Sequence, residues 1–285
     1  MRLIVGTNSD IGRAVKTYWD TSNTVYHAST RNKDSSSAIR PHIDLTKDIT
    51  LSDQSNYNVA VLCARITRLE LCRKDPAGTR KINVDGTLRL ARYLSGRGTY
   101  VIFLSTDKVY DGSRKHRSPD DNISPITEYG RQKAEAEQSI LELTNGVVLR
   151  VAKVVYPSPE LFAGWVKDLN IGERIAPFSD MYFSPVSMSL VCKIIDQLIS
   201  RRADGIWHAS SAGDITYEVA ARHIATCLGV EKHLVEGSSF RESERICGEE
   251  VPRHTSLDME KTSTLGIFPD DPIKTIHKTI CLADA

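Results

Sequence analysis

Apolar and polar positions alternate along the first 155 residues in two rhythms. Runs in which nearly every position is apolar, RLIVG at 2–6, NTVYHA at 23–28, PHIDL at 41–45, NVAVLCA at 58–64, TYVIFLS at 99–105 and GVVLRVA at 146–152, read as strands buried on both faces. Between them the period is helical. Ile11, Ala14, Val15, Tyr18 and Trp19 form one stripe, and a long helix after Asp75-Pro76 runs to about Leu94. In that helix Asn83, Thr87, Leu90, Ala91 and Leu94 share a face, and Gly86 leaves room for a close neighbour.

Strand and helix in alternation predict an α/β fold, a doubly wound parallel sheet with helices on both faces. After Val155 the pattern loosens, with Pro157, Pro159, Pro177 and Pro185 among helices near 159–169, 187–201, 215–228 and 272–282. Residues 1–155 are therefore expected to form the main domain, with a return near 180–212 through the strand-like GIWHASS at 205–211. Residues 156–285 form mainly a smaller C-terminal lobe. Ligands of such sheets bind beyond the carboxyl ends of the strands, so the lobe is expected to roof that crevice and bind substrate.

Composition narrows the function. The 285 residues carry 37 basic and 36 acidic side chains, a net charge of +1 without any Lys/Arg block, which leaves no electrostatic footprint for nucleic acid or an anionic membrane. A small-molecule substrate is expected instead. No leader pattern opens the chain and no apolar stretch is long enough to cross a bilayer, so a cytoplasmic protein is expected. Cys63, Cys72, Cys192, Cys227, Cys247 and Cys281 form no C-x-x-C pair, and the eight histidines show no H-x-x-x-H spacing. Reduced thiols and no metal site are the expectation.

Three clusters carry chemistry. The first is Gly6-Thr-Asn-Ser9-Asp10-Ile11-Gly12, where the first strand meets the first helix. Glycines there allow a tight turn and let a pyrophosphate approach backbone N–H groups at a helix N-terminus. Ser9 stands where glycine would be roomier, yet its N–H and hydroxyl are possible donors to the same phosphate. The second is Arg31, after His27-Ala-Ser29-Thr30, in place of the acidic residue that would hold the ribose 2′-hydroxyl of NAD. A guanidinium suits a 2′-phosphate, so NADP(H) is preferred over NAD(H).

The third is Tyr129-Gly-Arg-Gln-Lys133 with Ser105-Thr106-Asp107 at the end of an apolar strand. Tyr and Lys at i, i+4 share a helix face, so the ammonium is expected to favour the ionised phenol and lower its pKa, while the Thr106 hydroxyl holds a substrate carbonyl oxygen.

With these residues in place the chain resembles the extended short-chain dehydrogenase/reductases and, within them, the dTDP-4-dehydrorhamnose reductase-like sugar-nucleotide reductases. The resemblance runs through GTNSDIG, HIDLT, LCARIT, KINVDGT, FLSTDKVYDG, TEYGRQKAEAE, GIWHASS and PRHTSLD. It implies an NAD(P)-binding Rossmann domain, Thr106, Tyr129 and Lys133 as catalytic set, and a nucleotide-sugar substrate. It puts Asp44, Leu45, Cys63, Ala64, Arg65 and Asn83 along the cofactor, with Asp44 near the adenine. Asn83 has a structural hydrogen bond between helix and strand as its other reading.

Departures matter. Lys108 stands where the sugar-nucleotide dehydratases carry an acid, and Lys153 where the rhamnose reductases pack an aromatic residue on the sugar, so Thr106, Asp107 and Lys153 are the candidate substrate contacts. The implied activity is NADPH-dependent reduction of a keto sugar nucleotide, with the proton from Tyr129. A non-catalytic NADP-binding regulatory subunit and an epimerase are the alternatives, and a homodimer stays open. Trp165, Phe178 and Tyr182 are read either as core or as a platform for the base.

Overall fold

The computed structural model describes residues 1–49, 51, 56–156, 160–242 and 251–282, so Pro157, Pro159 and Cys247 lie outside the described residues. The chain divides into two compact units. One comprises Met1–Val109, Thr127–Arg150 and Val191–Trp207; the other comprises Tyr110–Ile126, Val151–Leu190 and His208–Ala285.

The first unit is built on a mostly parallel sheet of β1 (Arg2–Val5), β2 (Tyr26–Ala28), β3 (Val59–Leu62), β4 (Tyr100–Thr106), β5 (Gly146–Val151) and β9 (Gly205–Ala209), in the order β2-β1-β3-β4-β5-β9. GIWHA thus takes the edge place in the main sheet. Registers such as Ile4↔Val61 and Val61↔Ile102 are parallel. All seven residues of β4 are buried, as a strand covered by helices on both faces must be. The flanking helices are α1 (Asp10–Thr21), α2 (Leu69–Lys74), α3 (Pro76–Arg80), α4 (Thr87–Ser95) and α5 (Glu128–Leu141). In α1 the buried residues Ile11, Val15 and Trp19 belong to the stripe read from the sequence.

Two expectations are corrected here. PHIDL forms no strand: its backbone pairing is the isolated bridge Thr30↔His42, while Ile43 and Leu45 pack into the core. Pro41 has no N–H to give to a ladder, and Asp44 turns the chain by accepting the Thr46 N–H at 3.0 Å and its hydroxyl at 2.8 Å. The long helix is not uniform either. Lys81–Gly86 widens into a π-helical stretch between α3 and α4, with the Thr87 hydroxyl donating to the Ile82 carbonyl at 2.7 Å. At Gly86 a Cβ would stand 1.9 Å from the Leu45 carbonyl oxygen, so the anticipated close neighbour is backbone.

Deep in this unit Arg150 of β5 grips Glu137 of α5 with Nη2–Oε2 at 2.7 Å and Nε–Oε1 at 3.1 Å, both side chains 2% exposed. Asn83 donates to the Ile66 carbonyl at 3.0 Å and to Gln132 Oε1 at 2.9 Å, and accepts the Ile66 N–H at 2.8 Å. This is the structural bond between helix and strand end, and it consumes both amide hydrogens of Asn83.

The second unit holds β6 (Lys153–Val155) parallel to β8 (Pro185–Ser187), and β7 (Tyr182–Phe183) antiparallel to β10 (Ile215–Thr216). Its core is aromatic. Phe162 and Trp165 of α6 (Glu160–Asn170) meet Phe183 and Tyr217, with α8 (Tyr217–Leu228) and the helical turns Pro272–Ile276 and His277–Cys281 closing over them. Helix α7 (Met188–Arg201) passes from the second unit into the first. Among the described residues no helix is long and apolar enough to cross a membrane.

Candidate active site

Where β1 gives way to α1 the chain turns at Gly6, whose φ of +86° lies in the left-handed region. A Cβ there would come within 2.5 Å of the Ala64 backbone nitrogen, so only glycine lets the turn lie against the end of β3. Gly12 closes the turn from the helix side, where a Cβ would stand 2.3 Å from the Gly6 carbonyl oxygen. Ser9 caps α1: its hydroxyl accepts the Gly12 N–H at 3.1 Å. That hydroxyl also donates to the Gly6 carbonyl at 2.8 Å, which takes the Ser9 N–H as well at 3.0 Å. Both donors that the sequence offered to a phosphate are thus turned inward, and Ser9 holds the loop. Ser29 anchors it further, accepting the Gly6 N–H at 3.2 Å and the Thr7 hydroxyl at 2.9 Å.

The ends of β1, β2 and β3 border a cleft of about 320 Å³, at the small end of ligand sites. Gly6, Ser9, Arg31, Asp44, Leu45, Ala64 and Arg65 all line it. Asp10, Ile11 and Gly12 form the first turn of α1 and are not in that lining; nor are Cys63 and Asn83. Cys63 is fully buried, which pushes its thiol up to about 12 and makes it a neutral packing group. Asp44 is also pushed up by partial burial, but the Thr46 hydrogen bonds and the Lys47 and Arg31 cations outweigh that and hold it below the usual carboxylate range. Arg31 itself is exposed. The cleft therefore offers a helix N-terminus, a small side chain at Ala64 and a cation at the rim, which fits a phosphorylated dinucleotide.

A second group of residues meets at the end of β4. Thr127 caps α5 by accepting the Gly130 N–H at 3.0 Å, and a Cβ on Gly130 would stand 2.1 Å from the Lys108 carbonyl oxygen. This close approach sets Tyr129 beside Thr106–Lys108. The Thr106 hydroxyl donates to Asp107 Oδ1 at 2.9 Å, and Lys108 Nζ lies 3.5 Å from Asp107 Oδ2. Gln132, fixed by Thr79 at 3.0 Å and Pro76 at 3.1 Å, locks α5 to the neighbouring helix.

Tyr129 departs from expectation. Burial pushes its phenol above the usual value, and the cation that opposes this through charge and a hydrogen bond is Arg65. Asp107 adds a smaller upward push. Lys133 Nζ lies 3.6 Å from the centroid of the Phe103 ring. Burial, seconded by Arg65, depresses its pKa well below the usual lysine value, against the pull of Glu137 and Cys63. Arg65 thus bears electrostatically on both Tyr129 and Lys133, where spacing suggested that the lysine would be the cation acting on the phenol. A phenol held protonated beside a guanidinium is a proton donor whose conjugate base is stabilised in place.

Lys153 opens β6 in the second unit with an exposed side chain. In the same unit Trp165 and Phe178 join the apolar core. Tyr182 does not. Its ring carries Lys115 Nζ at 5.6 Å and Arg253 Cζ at 5.5 Å, with His254 at 4.9 Å between centroids. Cations from two loops far apart in sequence left no local signal of this cluster.

Residues 1–281 match the family described as RmlD substrate binding domain. A dTDP-4-keto-6-deoxy-D-glucose reductase of Streptomyces niveus is 28% identical over 238 residues, covering 81% of this chain and 82% of its own length. A methionine adenosyltransferase 2 subunit beta of Mus musculus is 26% identical over 239 residues, covering 76% and 68%. Among solved structures, a dTDP-4-dehydrorhamnose reductase of Bacillus anthracis in complex with NADP superposes with a TM-score of 0.83 at 19% identity, covering 98% and 97%.

Proposed function

The chain belongs to the RmlD substrate binding domain family, and from that premise we propose that it is an NADPH-dependent reductase of a keto sugar nucleotide. The observation that carries the proposal is the setting of Tyr129, a buried phenol on α5 subject to the Arg65 cation and the Asp107 carboxylate, next to which the Thr106 hydroxyl is held. NADPH, when bound, supplies the hydride for the carbonyl carbon. The chain supplies everything else. Tyr129 donates its proton to the carbonyl oxygen, and Thr106 turns its hydroxyl from Asp107 to orient that oxygen. Arg65 steadies the phenolate left behind, and Lys133 holds the nicotinamide ribose. Asp107 and Lys153 contact the substrate.

The cofactor residues follow the cleft. The turn from Gly6 to Gly12, with Ser9 bracing it and Asp10 and Ile11 opening α1, takes the pyrophosphate at the helix N-terminus. Arg31 pairs with the 2′-phosphate and favours NADP(H) over NAD(H). Asp44 and Leu45 border the adenosine, Ala64 leaves room for it, and Cys63 and Asn83 set the backbone that the cofactor lies against.

A second reading is a non-catalytic NADP-binding regulatory subunit. The likeness to a methionine adenosyltransferase beta subunit favours it, as does the position of Lys133 Nζ on Phe103. An NADPH-oxidation screen over 4-keto and 3-keto nucleotide sugars decides between the two. The reductase oxidises NADPH with at least one of them, and Tyr129→Phe lowers turnover by about 10²- to 10⁴-fold with NADPH binding retained. No oxidation with any keto sugar, together with stoichiometric co-purification of an enzyme, selects the regulatory subunit.

A further inference from the structure

Two helical segments of the second unit carry the same signature. His223-x-x-x-Cys227 lies on α8, and His277-x-x-x-Cys281 occupies the π-helical turn after Pro272–Ile276. Spacing of i, i+4 puts each pair on one face of its segment. The two faces meet because the neighbouring positions, Ala221, Ile224 and Ala225 on one side and Ile276 and Ile280 on the other, are buried together in the same apolar core.

At that seam each of the four residues offers one donor atom, and all four atoms lie within 4.8 Å of one another. Cys227 Sγ is 3.5 Å from His223 Nε2 and 3.3 Å from His277 Nδ1. Zinc bonds of about 2.0–2.1 Å to nitrogen and about 2.3 Å to sulfur, at the tetrahedral angle, separate a nitrogen and a sulfur ligand by about 3.6 Å. The two measured edges are already close to that length.

We propose that His223, Cys227, His277 and Cys281 bind one Zn²⁺ ion in a closed, four-ligand structural site. Two thiolates with two imidazoles is the donor set that selects zinc over the oxygen-seeking cations, and four protein ligands leave no position for a reactive water. Binding exchanges two thiol protons for the metal, so the ion is held by neutral imidazoles and two thiolates and the two positive charges are cancelled. The ion clasps the segment 272–281 to α8 over the aromatic core. Every ligand belongs to the second unit, apart from the cleft and Tyr129, so the site stands whether or not the chain is a reductase. Each half mixes the two residue types, so neither a C-x-x-C nor an H-x-x-x-H spacing marks the site.

The test uses the full-length protein, purified under reducing conditions, stripped with a chelator and titrated with Co²⁺ and then Zn²⁺. One Co²⁺ per chain is expected, with the visible bands of a tetrahedral site and a thiolate charge-transfer band that Zn²⁺ bleaches. Cys227→Ser, at an exposed position, and His277→Gln each weaken uptake by more than the roughly 10- to 100-fold that loss of an outer-shell partner costs. NADPH binding by both variants stays unchanged. No stoichiometric uptake, uptake that neither substitution alters, or a Cys227–Cys281 disulfide in protein isolated without oxidant each overturns the proposal.

Discussion

Arg65, just beyond β3, opposes the upward push of burial on the phenol of Tyr129 on α5 and bears on the buried amine of Lys133 as well. One guanidinium thus lowers both pKa values, against burial at Tyr129 and together with it at Lys133.

Removing that cation therefore has a signed effect. Arg65→Gln raises the phenol pKa further, so the pH at which reduction fails for want of a protonated Tyr129 moves upward. Each unit corresponds to about 1.4 kcal/mol. A pH profile of kcat at saturating NADPH measures it; an alkaline limb that stays in place shows that Arg65 does not act on Tyr129.

Lys133 is nearly fully buried and its pKa is depressed, so the folded chain binds this proton less readily than the unfolded chain does. Its contribution to stability is present above the unfolded lysine value near 10.5 and is lost as pH falls toward the depressed folded value. Lys133→Met removes that penalty. The variant should melt higher than the parent at pH 7, with the gain shrinking as pH approaches 10, while its turnover falls. Thermal melts at the two pH values decide it, and a gain that is equal at both contradicts the account.

The Arg150–Glu137 pair makes a different prediction, because the two ions face each other in a site closed to water. Arg150→Met leaves a buried carboxylate uncompensated and should cost about 3–5 kcal/mol in urea unfolding, whereas Arg150→Met with Glu137→Leu recovers most of it. Equal losses in the single and double variants would show that the pair is not coupled.

Cofactor choice rests on Arg31. Arg31→Ala removes a charge-assisted contact worth about 1.5–3 kcal/mol, so NADPH affinity falls by roughly 10- to 150-fold with NADH affinity nearly unchanged. Calorimetric titration of both nucleotides checks this; equal affinities in the parent protein would show that the rim of the cleft does not read the phosphate.

What could be read beforehand follows the range of each interaction. The stripe Ile11–Val15–Trp19 and the uniformly apolar run of β4 are local patterns, so element type and the parallel sheet were legible. Of the residues that border the cleft, Gly6, Ser9 and Arg31 were legible in the turns after the first two strands, whereas Asp44, Leu45, Ala64 and Arg65 came only with the family resemblance. PHIDL misled because its apolar side chains do pack while Pro41 and the Asp44 turn deny it a ladder. Residues that meet only through the fold stayed hidden. Arg65, beyond β3, acts on Tyr129 of α5, and the close approach of Gly86 to the Leu45 backbone joins segments far apart in sequence.

Hydride transfer by this chain can be followed with deuterium from [4-²H]NADPH during a single turnover with a 4-keto-6-deoxy nucleotide sugar. Label is expected on the carbinol carbon of one product stereoisomer, with transfer slowed by about 10²- to 10⁴-fold in Tyr129→Phe. Tight NADPH binding with no label in product from any keto sugar nucleotide would contradict it.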